Sequence, residues 1–491
     1  MRPARIAIAL LVLAAVVVGA TFVLRDGGSS STAGPSVDAT PAPIVPSAGV
    51  PDRDPLAWTN ARSAGYARRA VEGLAHPLYA RTREIGGIVA AARRTAAWRP
   101  DVEKAAAAHD VDPDTLEAIV LLESAGRPEA RASDDLNGAV GLTQILAQTA
   151  TGLLGMHVDL PQERRIAKRM TRAARKGDDA EVARLRSELR RVDERLDPVK
   201  SLDATARYLQ TAEQKLGRTD LAVASYHMGM GNVQTALARY GQGTVPYAQL
   251  FFDSTPVRHD AAWQFLAGLG DDSSTYLWRV RAAREIMALS RDDPAELVRR
   301  DTLMNARNSA EVLMHPPDAT QHFDEPGDIA DARDAGDIVA LPARWLARHG
   351  VRIDRRMGEL ARKIDADPRL YRGLRREALA TLGYIGASVQ EISGAKRPLR
   401  LTSTVRDGSY QEALVGVNRE ATHDYSLHTT GYTFDIARDY AGRDQAMALQ
   451  FMLDRLTALN LIAWVREPGA IHVTVSTDTA RLMKPLGVLP G

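Results

Sequence analysis

The sequence predicts a multidomain chain, with a mostly-α domain followed by a smaller α+β domain, both behind an N-terminal transmembrane anchor. Three observations predict it. At 491 residues the chain exceeds what one hydrophobic core usually organises, which suggests two or three folded units. Apolar residues recur at helical spacing from about 55 to 291. After about 392 the pattern changes to short strand-like runs, "LRLTSTV", "YTFDIA", "IAWVRE" and "AIHVTVS", with one clear helix, "DQAMALQFMLDRLTALN". A hydrophobic content of 45% can fill the cores, and 63 basic against 61 acidic residues leave a net charge of +2, which argues against nucleic acid as the principal ligand. Cysteine is absent, so disulfides and thiolate metal sites are excluded, and any metal must use His and carboxylate ligands.

At the N-terminus, Arg2 and Arg5 precede an apolar run of 19 residues, 6–24. That length approaches the roughly 20 residues that cross a bilayer, with the arginines cytoplasmic and the rest of the chain outside. Val18-Gly19-Ala20 also resembles a signal-peptide cleavage site, so 1–25 reads as a signal anchor or a signal peptide. Residues 26–54, rich in Gly, Ser, Thr, Ala and Pro, read as a flexible tether. The mostly-α domain spans 55–291 and carries a charged insertion, 157–195. That insertion reads as a helical hairpin turning near Lys176-Gly177-Asp178, either solvated or in contact with an anionic polymer or lipid headgroups. Residues 292–341 combine prolines, glycines and acids without periodicity and read as an inter-domain linker. The α+β domain occupies 342–491 and opens with helical segments near 342–353 and 370–392.

In "DPDTLEAIVLLESAG", residues 112–126, Asp112 is a plausible N-cap with Pro113 at the first helical position. Leu116, Ile119 and Val120 form one apolar stripe, and Glu123 continues it, within roughly 20° of Leu116 and 40° of Ile119. A carboxyl group desolvated among aliphatic side chains has its pKa raised and becomes a proton donor near neutral pH, the property a glycosidic general acid needs. On the helix alone, an ion pair with an arginine such as Arg127 accounts for the same residue.

The blocks "LLESAGRPEARA", "GAVGLTQILAQTA", "LDPVKSLDATARYL", "SYHMGMGNV" and "SSTYLWRVRAA" follow one another over about 98–290. In that order they resemble the lytic transglycosylase catalytic domain of the soluble-lytic-transglycosylase type, a lysozyme-like helical fold. The resemblance implies that Glu123 is the catalytic acid and that Ser124 is a substrate-binding neighbour. It places Gly138, Gly141, Leu142 and Gln144 on the glycine-rich turn and Gln that line the sugar groove, and it makes Tyr226 and Tyr276 the substrate-binding tyrosines. His227 and Met228 depart from the family's usual Asn-Ala, and the charged insertion separates two of the blocks. The implied reaction uses Glu123 twice. It protonates the oxygen between N-acetylmuramic acid and N-acetylglucosamine, then as carboxylate removes the C6 hydroxyl proton, closing a 1,6-anhydro ring without water.

In "YSLHTTGYTFDIARDY", His428 and Asp435 lie on either side of Gly431, and His472 follows in "AIHVTVS". Two imidazoles and a carboxylate can hold zinc tetrahedrally with one position open for water, although by themselves such residues are also ordinary polar side chains. The spacing Ser-x-His-x-x-Gly-x-x-x-Asp resembles the zinc motif of D-alanyl-D-alanine metallopeptidases over about 370–476. It implies His428, Asp435 and His472 as zinc ligands, with Arg406 in "TSTVRD" as a substrate-facing arginine and Gln411 as a weaker candidate. Where that family places its acid, three residues before the last His, stands Gly469. The nearest carboxylate, Glu467, can serve as catalytic base only if the Pro468-Gly469 turn brings it back toward the metal. His423 and Asp424 read as surface residues.

Both resemblances converge on peptidoglycan. They imply glycan strands and stem peptides as partners, zinc in the C-terminal domain and no cofactor in the transglycosylase domain. The N-terminal helix adds the membrane as a partner and places the domains on its extracytoplasmic face. A degenerate, wall-binding C-terminal domain and a non-enzymatic wall-binding scaffold are the alternatives.

Overall fold

The computed structural model describes residues 54–306, 309–416 and 425–488. The anchor or signal peptide read at 1–25, the tether up to 53, and His423 and Asp424 lie outside the described residues. Among the described residues no helix is long and apolar enough to cross a membrane. Two compact units are present: one comprises Ala90–Lys215 with Ala283–Ser290, the other the described parts of Pro41–Val89, Leu216–Ala282 and Arg291–Gly491.

The first unit is helical. Arg99–Ala108, Pro113–Ser124 and Pro198–Leu216 contribute to a core of Val102, Ala106, Leu116, Val120, Leu142 and Leu202. Its charged segment is a helical hairpin of Leu160–Lys176 and Asp179–Val192. The reversal lies where the sequence suggests, at Gly177, whose φ of +71° is open to glycine at no steric cost, and Asp178 caps the second helix by accepting from the Glu181 amide at 3.0 Å. Ile166, Ala173, Leu185, Leu189 and Val192 form a buried seam that joins Val140 and Leu196, so the hairpin is packed on one side and charged on the other.

Its end is pinned by Arg195, which is fully buried. The guanidinium donates to the Asp193 carboxylate at 2.7 and 2.9 Å and to the carbonyls of Leu136, Gly138 and Ile145 at 3.0, 2.9 and 3.3 Å. Glu163, also buried, accepts from Arg131 at 2.6 Å and lies 3.8 Å from Arg195. Charges read from the sequence as a solvated insertion are thus partly internal, where they hold the loop that leads to Gln144.

In the second unit, packing crosses the boundaries that composition suggests. Asp54, assigned to the tether, accepts from Tyr384 at 2.7 Å and from Arg455 at 2.9 Å. Tyr66 donates to the Leu56 carbonyl at 3.0 Å, and the rings of Trp58, Tyr66 and Phe252 meet at 5.2–6.4 Å. Large aromatic surfaces bury more area than sequence proximity can supply, so residues near 54–89 and 216–282 join the C-terminal half instead of forming one domain over 55–291.

The stretch 292–341 is not an extended linker. It forms the helices Pro294–Asn305, Ser309–Met314 and Pro326–Asp334 and the short strand Val339–Ala340, paired antiparallel with Gly373–Leu374. Its acids serve as caps: Asp293 accepts from the Glu296 amide at 3.0 Å, and Asp328 from the Glu325 amide at 3.0 Å.

A five-stranded sheet organises the C-terminal part in the order Val351–Ile353, Leu399–Ser403, Thr433–Ala437, Ala470–Val475, Ile462–Arg466. The first pair is parallel and the others antiparallel. The helices Arg376–Ser393 and Arg443–Ala458 pack on each other and on the sheet. Residues 351–353, expected at the end of a helix, form a strand instead, because Gly350 at φ +70° turns the chain after the helix Ala343–Arg348.

Replacing Arg195 with leucine removes the partner of a fully buried Asp193 and three carbonyl contacts. The expected cost is about 3–5 kcal/mol, read as a lower urea midpoint of the full chain.

Candidate functional site

The sheet register explains how the C-terminal residues meet. Asp435 and His472 stand opposite each other on antiparallel strands, so their side chains emerge on one face. His428 arrives from the 3-10 turn Leu427–Thr430, and Gly431 at φ +77° reverses the chain into the Thr433–Ala437 strand. A Cβ at Gly431 would overlap the end of the Ile338 side chain. That reversal gives the His-x-x-Gly-x-x-x-Asp spacing its physical content: the turn folds His428 back over Asp435. One ligand atom from each of His428, Asp435 and His472 lies within 4.8 Å of the others.

The donor set fits a divalent cation. His428 Nδ1–H donates to the Thr404 carbonyl at 2.7 Å, and its Nε2 faces Asp435 Oδ1 at 3.2 Å. Burial, with the Arg406 charge nearby, pushes the His428 pKa down to about 4. Near neutral pH the ring therefore carries one proton, at Nδ1, and its Nε2 lone pair faces a carboxylate oxygen; two acceptors placed so need a cation between them. Burial alone would raise Asp435, but the facing imidazoles of His428 and His472 hold it well below the usual carboxylate range. His472 has carboxylate oxygens on both sides, Asp435 Oδ1 at 2.9 Å from Nδ1 and Glu311 Oε1 at 3.0 Å from Nε2. Burial would lower it, yet hydrogen bonds to those two carboxylates carry it up to about 10.

A cavity of about 420 Å³ opens beside this cluster, lined by Asp435, Ser403, Arg406, Tyr410, Glu467 and Gly469 among others. Arg406 donates to Asp435 Oδ2 at 3.1 Å and to Ser403 Oγ at 2.7 Å, and its other terminal nitrogen donates to Gln411 Oε1 at 3.1 Å. It therefore neutralises the second oxygen of Asp435 as well as lining the cavity, and Gln411 steadies it. Glu467 begins the hairpin turn, its amide donating to the Ala470 carbonyl at 3.0 Å. Val465 pairs with His472, so Glu467, two residues on, is turned to the face that carries His472 and Asp435. Sequence reading missed Ser403 and Thr404, which lie in the quoted "TSTVRD" block beside Arg406, and Glu311, which lies in no motif.

In the first unit, Asp112 caps the Pro113–Ser124 helix, accepting from the Asp114 amide at 3.3 Å and Thr115 Oγ1 at 2.7 Å. From Leu116 through Gly126 every residue except Glu123 is buried. Glu123 is thus the half-buried residue of an otherwise buried helix end. The helix stops at Ala125, φ 53°, and Gly126, φ +75°, where a Cβ would stand 2.5 Å from the Thr95 nitrogen. Trp98 Nε1 donates to the Gly126 carbonyl at 2.9 Å, and Arg127 Nε to the Ser124 carbonyl at 3.0 Å.

Ser124 departs from the expected role: it is buried, and its hydroxyl donates to the Val120 carbonyl at 3.1 Å, so it secures the helix end instead of facing a ligand. Gln144 is half-buried with φ 54°, and its amide nitrogen donates to the carbonyls of Ala130 and Gly141 at 3.0 and 2.8 Å, leaving the acceptor Oε1 for a donor on a ligand. Gly141 serves a different approach from the one expected: a Cβ there would overlap the Arg195 carbonyl, so the glycine admits the end of the hairpin.

Tyr226 and Tyr276 belong to the second unit. Tyr226 is half-buried and stacks on Tyr276 at 6.1 Å; Tyr276 is 1% exposed and also stacks on His227 at 5.2 Å. Tyr276 is therefore a support beneath Tyr226 and His227, not a residue that itself reaches substrate. His227 Nδ1 lies 2.7 Å from Ser273 Oγ, so the departure from the expected Asn is built into this stack.

Residues 101–176 and 170–245 match the family model for the transglycosylase SLT domain. The two matches overlap within the Leu160–Lys176 helix of the charged hairpin, with Glu123, Ser124 and Gln144 in the first match and Tyr226 in the second. Curated relatives from Salmonella typhimurium and Salmonella paratyphi B, each an endo-type membrane-bound lytic murein transglycosylase A, are 41% identical over 58 residues, 12% of this chain. The chain spans 27% of the length of these relatives.

At Gly431, alanine would combine a left-handed backbone with a collision against Ile338. The expected loss is about 1–3 kcal/mol, measured as a lower melting temperature of the full chain.

Proposed function

We propose that this chain is a peptidoglycan hydrolase: a lytic transglycosylase that cleaves between N-acetylmuramic acid and N-acetylglucosamine, joined to a zinc-dependent stem-peptide peptidase, both acting outside the cytoplasmic membrane. The observation that carries the first activity is Glu123, the sole opening in an otherwise buried helix end, inside a stretch similar to the transglycosylase SLT domain. A carboxyl group there is held on a rigid helix whose neighbouring residues are buried, which fixes its position as the sugar approaches. Glu123 protonates the glycosidic oxygen while the substrate's acetamido group assists departure of the leaving sugar, and the resulting carboxylate takes the C6 hydroxyl proton as the 1,6-anhydro ring closes. Gln144 Oε1 accepts from a sugar hydroxyl or amide.

In the C-terminal site, His428, Asp435 and His472 would hold the metal. Zinc bound there supplies an activated water and polarises the scissile carbonyl. Arg406 compensates the Asp435 oxygen turned away from the ligand position and presents a cation to the cavity. Glu467, on the cavity wall, takes the proton of the attacking water and returns it to the leaving amine. A second reading, a zinc-binding module that docks stems without cutting them, draws on Gly469 at the position where the resembled family keeps its acid.

Glu123→Gln keeps the shape and removes the proton. Digests of purified sacculi should lose 1,6-anhydromuropeptides by about 10²–10⁴-fold while the circular dichroism is unchanged. Undiminished anhydro product would overturn the glycan-cleaving assignment.

His428→Ala should abolish stoichiometric zinc and stem-peptide cleavage together and leave anhydro product formation intact. Loss of zinc without any stem cleavage in the parent protein would select the docking reading.

A further inference from the structure

We infer that Glu311 is the outer carboxylate of the C-terminal metal site, a positioning residue that sets the ring orientation and tautomer of His472. The inference rests on the zinc reading above. Glu311 lies on the Ser309–Met314 helix, within the stretch whose composition suggests a linker, far in sequence from the motif that carries the ligands. Its side chain is 1% exposed. Oε1 stands 3.0 Å from His472 Nε2 and accepts from Thr474 Oγ1 at 3.0 Å; Thr474 in turn meets Thr433 Oγ1 at 2.9 Å. Among the described residues Oε2 is buried with no hydrogen-bond partner.

A carboxylate buried in this way is costly, and one oxygen left unpaired adds to the cost. The fold itself does not need it: a neutral residue could fill the same volume between helix and strand. What the charge does satisfy is the second nitrogen of His472. Nδ1 faces Asp435 Oδ1, so it is the metal side of the ring, and Nε2 must keep its proton when the metal is bound. Glu311 accepts that proton's hydrogen bond, which fixes the tautomer, locks the ring plane and raises the basicity of Nδ1. The imidazole stands between Glu311 and the metal position, so Glu311 acts through His472 and does not touch substrate.

The surrounding stretch is fixed to both ligand-bearing segments. His315 Nε2 lies 2.7 Å from the Val475 carbonyl, its ring stacks on Tyr432 at 4.1 Å, and the Phe323 amide donates to the Thr429 carbonyl at 2.9 Å. Glu311 is therefore held at its distance from His472 by contacts on either side of it, as a positioning group requires.

Zinc affinity of the full chain, measured by competition with a chromogenic chelator, tests this. Glu311→Ala should weaken zinc by about 10–100-fold, and Glu311→Gln, which keeps an acceptor for Nε2–H, should restore part of the loss. In ¹⁵N-labelled zinc-loaded protein, the His472 Nε2–H proton should be protected from exchange in the parent and exposed in Glu311→Ala, a signature that simple loss of packing would not give. If Glu311→Ala fails to fold, Thr474→Val removes one hydrogen bond to the same oxygen and should weaken zinc by about five-fold. Parent-like affinity in Glu311→Ala or, where that variant does not fold, in Thr474→Val, with zinc lost in His428→Ala, overturns the role of Glu311 and leaves the zinc reading standing. Equal affinity in parent and His428→Ala overturns the zinc reading itself, and this inference with it.

Discussion

Asp435 lies in the middle of a five-stranded sheet, buried at the wall of the cavity, and the C-terminal site is the set of groups gathered around its carboxylate. Oδ1 accepts from His472 Nδ1 and faces the lone pair of His428 Nε2, and Oδ2 accepts from Arg406. Taking an uncompensated carboxylate out of water costs several kcal/mol, so each of these partners must be brought to it whatever the sequence distance. The irregularity between Leu401 and Ser403 re-aims the strand that leads to Arg406, the left-handed Gly431 returns His428, and the Asp435–His472 register supplies the third partner. The geometry of the cluster follows from the electrostatic demand of one residue.

The same constraint shapes the first unit. Arg195 buries a full positive charge, and Asp193, Glu163 and three loop carbonyls answer it. Because those carbonyls belong to 136–145, the loop that carries Gln144 is templated by the end of the charged hairpin. The two matches to the transglycosylase SLT domain overlap within the hairpin's first helix, and the hairpin's last residues, in the second match, are part of the support of the loop in the first. An insertion that reaches into a loop in this way is a structural component of it.

Much of this was legible in the sequence because it depends on local chemistry. The cap at Asp112, the turn at Gly177, the strands around Phe434 and Val473, and the His428, Asp435, His472 set all follow from residues close together or from recognisable spacing. What could not be read was long-range packing. Glu311 sits in an aperiodic acidic stretch, Asp54 in a run that looked like tether, and Tyr276 in a block whose tyrosine seemed substrate-facing but is buried. Gly141 was legible as a required glycine but not for its cause, since the carbonyl it admits lies 54 residues further along the chain, at Arg195. Composition marks a residue as polar or flexible; only the fold decides whether its charge caps a helix, pairs in the interior or meets solvent.

A boundary drawn at 342 would separate the His428, Asp435 and His472 cluster from the groups packed around it. The Ser309–Met314 helix supplies the carboxylate on His472, His315 and Phe323 hold the strand and turn that carry His472 and His428, and Asp54 pairs with Arg455 on the Arg443–Ala458 helix. The ligands alone are a short pattern that many chains could contain. A metal site needs its ligands held in a fixed orientation and protonation state, and the residues that hold His428, Asp435 and His472 come from outside the motif. The physical unit of the C-terminal chemistry is therefore the packed body that includes the apparent linker and the start of the chain's described residues, and a reading of function that stops at the motif leaves out the part of the structure that makes the motif competent.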